Sequence, residues 1–353
     1  MKIKLAILEK DRSYLTRVVS AFGAKYSDKF EIYSFTDVEV ALAMLNASKI
    51  DVLLAGDVFD IDVARLPKRC AFAYLVDSVG IDMINNQRAI CKFQKADMIY
   101  KQILSIYSEK ASSITGFKMT GDEGKVIGFC SASGGVGSST MAAACSVYLA
   151  SKKKKVLYLN LEKYGSADMF FSGQGQFGMS DIIFALKSKK TNLALKLESC
   201  VKRDPSGVYF FSQARVALDM IEMNADDTLR LLAELKASGE YDYIVLDMDF
   251  GIDKDMLKIY RQTQEIVLVG DGSLESNTKI ERAHAALMIV EENADAPLTS
   301  RMSFVYNKVG SKTGHTLNAE GLKMLGGAPR YARAEVQQVI EQLAAMDLFD
   351  PIL

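Results

Sequence analysis

A chain of 353 residues exceeds what one hydrophobic core usually serves, so two domains are expected. Its 43 Lys and Arg against 44 Asp and Glu leave a net charge of -1, which argues against nucleic acid as a partner. The five cysteines have no C-x-x-C spacing and the two histidines, His284 and His315, stand far apart, which argues for reduced core thiols and against a zinc centre or Ser-His-Asp hydrolase.

In chain order, "IKLAIL" (3–8), "FEIYSF" (30–35), "DVLLA" (51–55), "CAFAYLV" (70–76) and "AICKF" (89–93) read as strands. Between the first three, "RSYLTRVVSAF" and "DVEVALAMLNAS" carry apolar residues at helical spacing, with Asp37 placed to cap the second. Such alternation predicts a parallel sheet wrapped by helices, five βα units in a doubly wound domain over 1–110. The opening run is too short for a signal-peptide core, and no apolar run approaches the roughly 20 residues that span a bilayer. A cytoplasmic protein without direct membrane insertion is expected.

The polar, glycine-bearing stretch around 108–125 predicts a linker, set at 111–122. A second series over 123–353 follows, with strands at "KVIGFC" (125–130), "KKVLYLNL" (154–161), "GVYFFS" (207–212), "YDYIVLDMD" (241–249), "EIVLVGD" (265–271) and "RMSFVYNKV" (301–309). The fold class is therefore α/β, two doubly wound parallel-sheet domains.

"KVIGFCSASGGVGSSTMAAACSVYLA" is strand, glycine loop, helix, the context in which backbone N–H groups and a helix N-terminus face phosphate. Gly134, Gly135 and Gly137 let the backbone approach the anion, Ser139 stands where a hydroxyl ligates Mg²⁺, and Thr140 is placed for a further phosphate oxygen. Asp247 closes an apolar strand, as a metal-organising acid does, although an acid there also caps following helices. Asn307 ends a late strand; its amide suits an adenine edge, and Asn there is also a common turn residue.

These pieces, in this order, resemble the ParA/MinD superfamily of deviant Walker ATPases, and more closely its pilus-assembly branch, the TadZ/CpaE proteins. The family loop reads K-G-G-x-G-K-[ST]-[ST]; here it reads Ser133, Gly134, Gly135, Val136, Gly137, Ser138, Ser139, Thr140, so both lysines are gone. The family's D-x-D is Asn160 and Glu162 here, and Asn cannot act as a base. Lys163, Lys125 and Arg215 are the cations weighed as replacements. The resemblance implies ATP and Mg²⁺ as ligands, Ser139 and Asp247 on the metal, and weak hydrolysis at most.

Residues 1–110 look like a response-regulator receiver, fold of the flavodoxin type. The acid pair after strand one is interrupted (Glu9, Lys10, Asp11), the acceptor position falls on Gly56 with Asp57 one residue late, and Lys92 matches the receiver lysine. Phosphorylation by the receiver route is not expected. In the pilus family such degenerate receivers accompany the ATPase-like half. The resemblance thus implies a homodimer, and partners in a Tad/Flp-type pilus secretion machine and among polar landmark proteins, at the inner membrane or cell pole. The alternatives are an active ParA/MinD-type ATPase cycling in partitioning or positioning, and a regulatory adaptor with purely structural nucleotide. "SKKKKV" (151–156) reads as a lysine-rich helix end, and "EVQQVIEQLAAMDLFDPIL", acidic without Lys or Arg, as a docked helix that anionic membrane would repel.

Overall fold

A computed structural model describes residues 2–111, 124–188, 191–292, 297–310 and 314–353. The chain divides into two compact units, Met1–Gly116 with Ser188–Cys200, and Phe117–Lys187 with Val201–Leu353. From residue 112 on, the expected linker lies outside the described residues.

In the first unit, β1 (Ile3–Leu8), β2 (Phe30–Phe35), β3 (Val52–Gly56), β4 (Ala71–Val76), β5 (Met83–Ile84) and β6 (Gln87–Cys91) form one sheet in the order β2-β1-β3-β4-β6-β5. All neighbours are parallel except β5 and β6. Alternate residues serve opposite faces. Leu5, Ile7, Val52, Leu54 and Leu75 pack under α1 (Arg12–Lys25) and α3 (Ala96–Ser108), while Leu8, Leu53 and Phe72 pack under α2 (Val38–Ala47). Five βα units were expected, but the described residues hold a single 3₁₀ turn (Val63–Arg65) between β3 and β4. Between β4 and β6 the segment is too short for a helix; Asn85 and Asn86 both take positive φ, 49° and 59°, and turn a tight hairpin.

The receiver-type centre is closed by its own side chains. Glu9, 3% exposed, takes the Lys92 ammonium on Oε2 at 3.0 Å, and Lys92 also meets Asp77 at 2.5 Å. A Cβ on Gly56 would lie 2.8 Å from Glu9 Oε2, so the glutamate fills the room an acceptor side chain would need. Asp11 is turned away to cap α1, accepting from the Ser13 and Tyr14 N–H groups.

The second unit's sheet runs β14-β13-β12-β7-β11-β8-β10-β9. Its strands are β7 (Lys125–Cys130), β8 (Val156–Asn160), β9 (Lys202–Arg203), β10 (Tyr209–Phe210), β11 (Tyr243–Asp247), β12 (Glu265–Gly270), β13 (Met302–Val309) and β14 (Lys323–Pro329). Only the short β9–β10 pairing is antiparallel. The central helix α4 (Ser138–Ser151) is lined with small residues, Ala142, Ala143, Ala144 and Cys145 all buried, and it packs on β7 and β11. The C-terminal stretch docks on this unit, with Ile340, Leu343, Phe349 and Ile352 in the same core as α4.

Between α5 (Met179–Ser188) and β9, helix α6 (Leu193–Cys200) belongs to the first unit. Its buried Leu193, Leu197 and Cys200 lie on one stripe; Glu198 accepts from Lys29 at 2.9 Å and the Tyr100 hydroxyl at 2.6 Å, and Lys196 donates to Ser105 at 2.8 Å. The second half of the sequence therefore contributes a piece to the first unit.

Replacing Lys92 by Met leaves Glu9 buried and uncompensated. The expected cost is about 3–5 kcal/mol to the first unit, read by urea denaturation with hydrogen exchange at β1 and β6 amides. A shift below about 1 kcal/mol would show that the pair does not hold this centre together.

Candidate phosphate-binding site

β7 delivers the chain into the loop, and α4 begins at Ser138. Gly137 caps the helix in the left-handed region at φ 90° and has no side-chain cap, so the first-turn N–H groups of Ser138, Ser139 and Thr140 have no intrahelical partner. No acid occupies that turn. An anion is the partner such an end accepts.

β13 holds the loop from beneath. Asn307 Nδ2 donates to the Val136 carbonyl at 2.8 Å, and Asn307 Oδ1 accepts from the Lys308 N–H at 3.0 Å. A Cβ on Gly137 would lie 2.5 Å from Asn307 Nδ2, a second reason for glycine there. Asn307 is buried and does not line the cleft; the amide expected on an adenine edge is engaged by the loop and by its own neighbour. Val136 is buried too and anchors the loop in the core.

The loop walls a cleft of about 300 Å³ with Ser133, Gly134, Gly135, Gly137, Ser138, Ser139 and Thr140 on one side. Glu162, Met248, Asp249 and Phe250 close the other side. Ser133, at the position of the family's cross-dimer lysine, is buried, and its N–H donates to Ser131 Oγ at 3.0 Å.

Below the cleft, β8 and β11 lie side by side with Asn160 opposite Asp247. Asp247 is wholly buried, and its Oδ2 accepts from the Tyr158 hydroxyl at 2.6 Å and from Asn160 Nδ2 at 2.8 Å. Its Oδ1 has no partner among the described residues. Burial raises the Asp247 pKa, and the charge of Glu162 raises it further. Burial and then the charge of Asp249 raise Glu162, which accepts from Ser139 Oγ at 3.3 Å. An orphaned carboxylate oxygen near a hydroxyl and a second acid is a donor set of the kind a divalent cation accepts.

Asn160 is not on the cleft wall. It is buried, and Gly165 passes over it so closely that a Cβ there would lie 2.5 Å from Asn160 Oδ1. None of the three cations weighed as replacements is seen on the loop. Lys125 Nζ donates to the Ile352 carbonyl at 2.7 Å, Arg215 pairs with Asp181 at 3.3 Å, and Lys163, an exposed residue, gives its backbone N–H to Asp249. The lysine that touches the loop is Lys308, whose Nζ donates to the Gly135 carbonyl at 2.7 Å. Sequence reasoning missed it because it stands about 170 residues downstream of the loop.

Fold and site define a class: a receiver-like unit with glycine at the acceptor position, joined to an α/β unit with a strand, glycine loop and helix of the phosphate-loop kind. Comparison with known proteins particularises it. Residues 1–108 match the family described as "TadZ-like, receiver domain". The ParA family ATPase of Chlorobium tepidum TLS is 21% identical, covers 65% of this chain and 97% of its own, and superposes with a TM-score of 0.50, which gives the fold of the second unit. The cell division ATPase MinD of Pyrococcus furiosus is 16% identical at a TM-score of 0.49, covering 65% of this chain and all of its own (100%). The septum site-determining protein MinD of Pyrococcus horikoshii OT3, complexed with Mg-ADP, is 18% identical at 0.47, covering 62% and 94%. No curated protein matches the sequence. Residues 1–108 are thus similar to a TadZ-like receiver domain, and the second unit has the fold of a ParA family ATPase.

Asn160→Asp would restore the family's acid but set a second carboxylate beside Asp247 Oδ2. Like charges disfavour ionisation, so the pair is destabilising at pH 7.5 by about 1–3 kcal/mol and relieved at pH 5.5 as a proton is taken up. Thermal melts at the two pH values read this. Equal melting at both, or the appearance of rapid ATP turnover, would contradict it.

Proposed function

We propose that this protein is an ATP-binding scaffold that helps localise and assemble a Tad/Flp-type pilus machine, with nucleotide-dependent dimerisation and weak or absent hydrolysis. The observation that carries the reading is the combination of a backbone cradle walling one cleft, an orphaned Asp247 oxygen buried below it and a loop stripped of both lysines. Loop N–H groups and the α4 N-terminus would hold the phosphates, while Ser139 and Asp247 would hold Mg²⁺. Mg²⁺ held there with ATP would supply neutralisation of phosphate charge. Binding survives the missing lysines better than turnover does. Transition-state charge needs a fixed cation, and the absence of one costs roughly 10³–10⁵ in rate. Asn160, which would have to orient the attacking water, is spent on Asp247 and shielded by Gly165.

The pilus role is supported by the TadZ-like match of residues 1–108. Placement at the cytoplasmic face of the membrane or a cell pole would come through partners. Among the described residues no helix is long and apolar enough to cross a membrane, and the apolar face of the C-terminal helix (Val336–Ala344) packs in its own unit.

Light scattering in Mg·ATP, in Mg·ADP and after stripping of nucleotide tests the switch: a doubled mass in Mg·ATP alone is expected. Ser139→Ala should keep nucleotide binding in EDTA and lose most of its enhancement by Mg²⁺. A mass indifferent to nucleotide would make any bound nucleotide structural, and fast turnover would favour a cycling ATPase.

A further inference from the structure

Resting on that reading, we propose that Lys308 supplies, within the same subunit, the positive charge for nucleotide phosphates that the loop itself has lost. Four observations converge. Both positions that carry lysine in the family loop are serine here, Ser133 and Ser138, and Ser133 is buried. Lys308 reaches the loop from β13, its Nζ 2.7 Å from the Gly135 carbonyl. It also runs beside the start of α4, since a Cβ built on Gly137 would lie 3.5 Å from Lys308 Cε and 3.7 Å from Nζ. Its backbone has φ 58°, uncommon for a residue with a long side chain, and its N–H is tied to Asn307.

The ammonium is available. A lysine has three donors, and the Gly135 carbonyl takes one of them. Among the described residues no carboxylate pairs with Lys308. Its neighbours on the loop are backbone carbonyls, which attract the ammonium without neutralising it. A phosphate in the cradle offers it an opposite full charge, and a four-carbon stem lets it turn from Gly135 to that charge without moving β13. The same contact explains how the loop keeps its shape when no anion is present.

The test measures ATP affinity by calorimetry for the full chain, for Lys308→Met and for Lys308→Arg. The Met variant is expected to bind ATP about tenfold to hundredfold more weakly. The Arg variant should keep most of the affinity, since it carries the charge. Melting of the nucleotide-free proteins reads the loss of the Gly135 contact, which methionine cannot make and arginine can, apart from the effect of charge on ATP affinity. Unchanged ATP affinity in Lys308→Met, or a comparable loss in both variants, would overturn the inference while leaving the scaffold reading intact. Absence of ATP binding by the unsubstituted chain would overturn the scaffold reading, and this inference with it.

Discussion

The second unit's chemistry depends on one hydrogen bond, from the Asn307 amide to the Val136 carbonyl. A glycine loop between a strand and a helix is entropically costly to hold, since glycine loses more backbone freedom than any other residue. Val136 pins its centre into the core, and Asn307 pins the same residue from the strand two places across the sheet. With that point fixed, Gly137 can take the left-handed turn that starts α4 and leaves three N–H groups facing the cleft. Lys308 is placed by the same anchor, because its N–H is bonded to Asn307. Cradle and cation are thus positioned by one side chain that touches no ligand.

The two units share a pattern. In each, the fold that normally carries a reactive centre remains, and the charges that drive its chemistry have been exchanged for internal partners. In the first, Glu9 fills the space beside Gly56 and takes the lysine that would otherwise meet an acceptor's charge. In the second, Asn160 gives its amide to Asp247, where a second acid would repel it. The outcomes differ. In the first centre Glu9 and Lys92 compensate one another and Glu9 fills the room beside Gly56, whereas the second keeps an unpartnered carboxylate oxygen and an open cleft.

Much of this was legible in the sequence, for definite reasons. Long apolar strands with both faces covered announce themselves as continuous runs, so β1, β3, β4, β7, β11 and β12 fall where "IKLAIL", "DVLLA", "AFAYLV", "KVIGFC", "YIVLD" and "EIVLVG" stand. The glycine loop and Asp247 are local signals. What escaped was short, exposed or distant. β5 is two residues long, and its Asn85-Asn86 turn was the one available cue. β14 is an edge strand broken by Gly326 and Gly327, with a register shift against β13. α6 has an ordinary amphipathic pattern that cannot say which core it will join. Asn160 ends an apolar strand and is visible as such, but its burial under Gly165 is a fact of packing. Lys308 is joined to the loop only by the fold.

A site that binds without turning over obeys different logic from one that hydrolyses. An ATPase cycle is a clock whose period is set by the chemical step. A binder reads free ligand concentration, and the bound state gains RT ln(1 + [L]/Kd), about 2.7 kcal/mol at a hundredfold excess over Kd. That is enough to move a balanced monomer–dimer equilibrium almost wholly to one side only if ATP discriminates between the two forms, because equal affinity for both shifts nothing. The discrimination has to come from groups that face the terminal phosphate. In the family loop that work falls to two lysines; under the proposed function it would fall here to backbone dipoles, to Ser139 and Asp247 with Mg²⁺, and to Lys308. A single cation tethered inside the subunit favours occupancy more than it favours a partner across the interface. A nucleotide switch built this way would be shallower than one with two loop lysines, and under the proposed function that would suit a scaffold that persists through swings in nucleotide level.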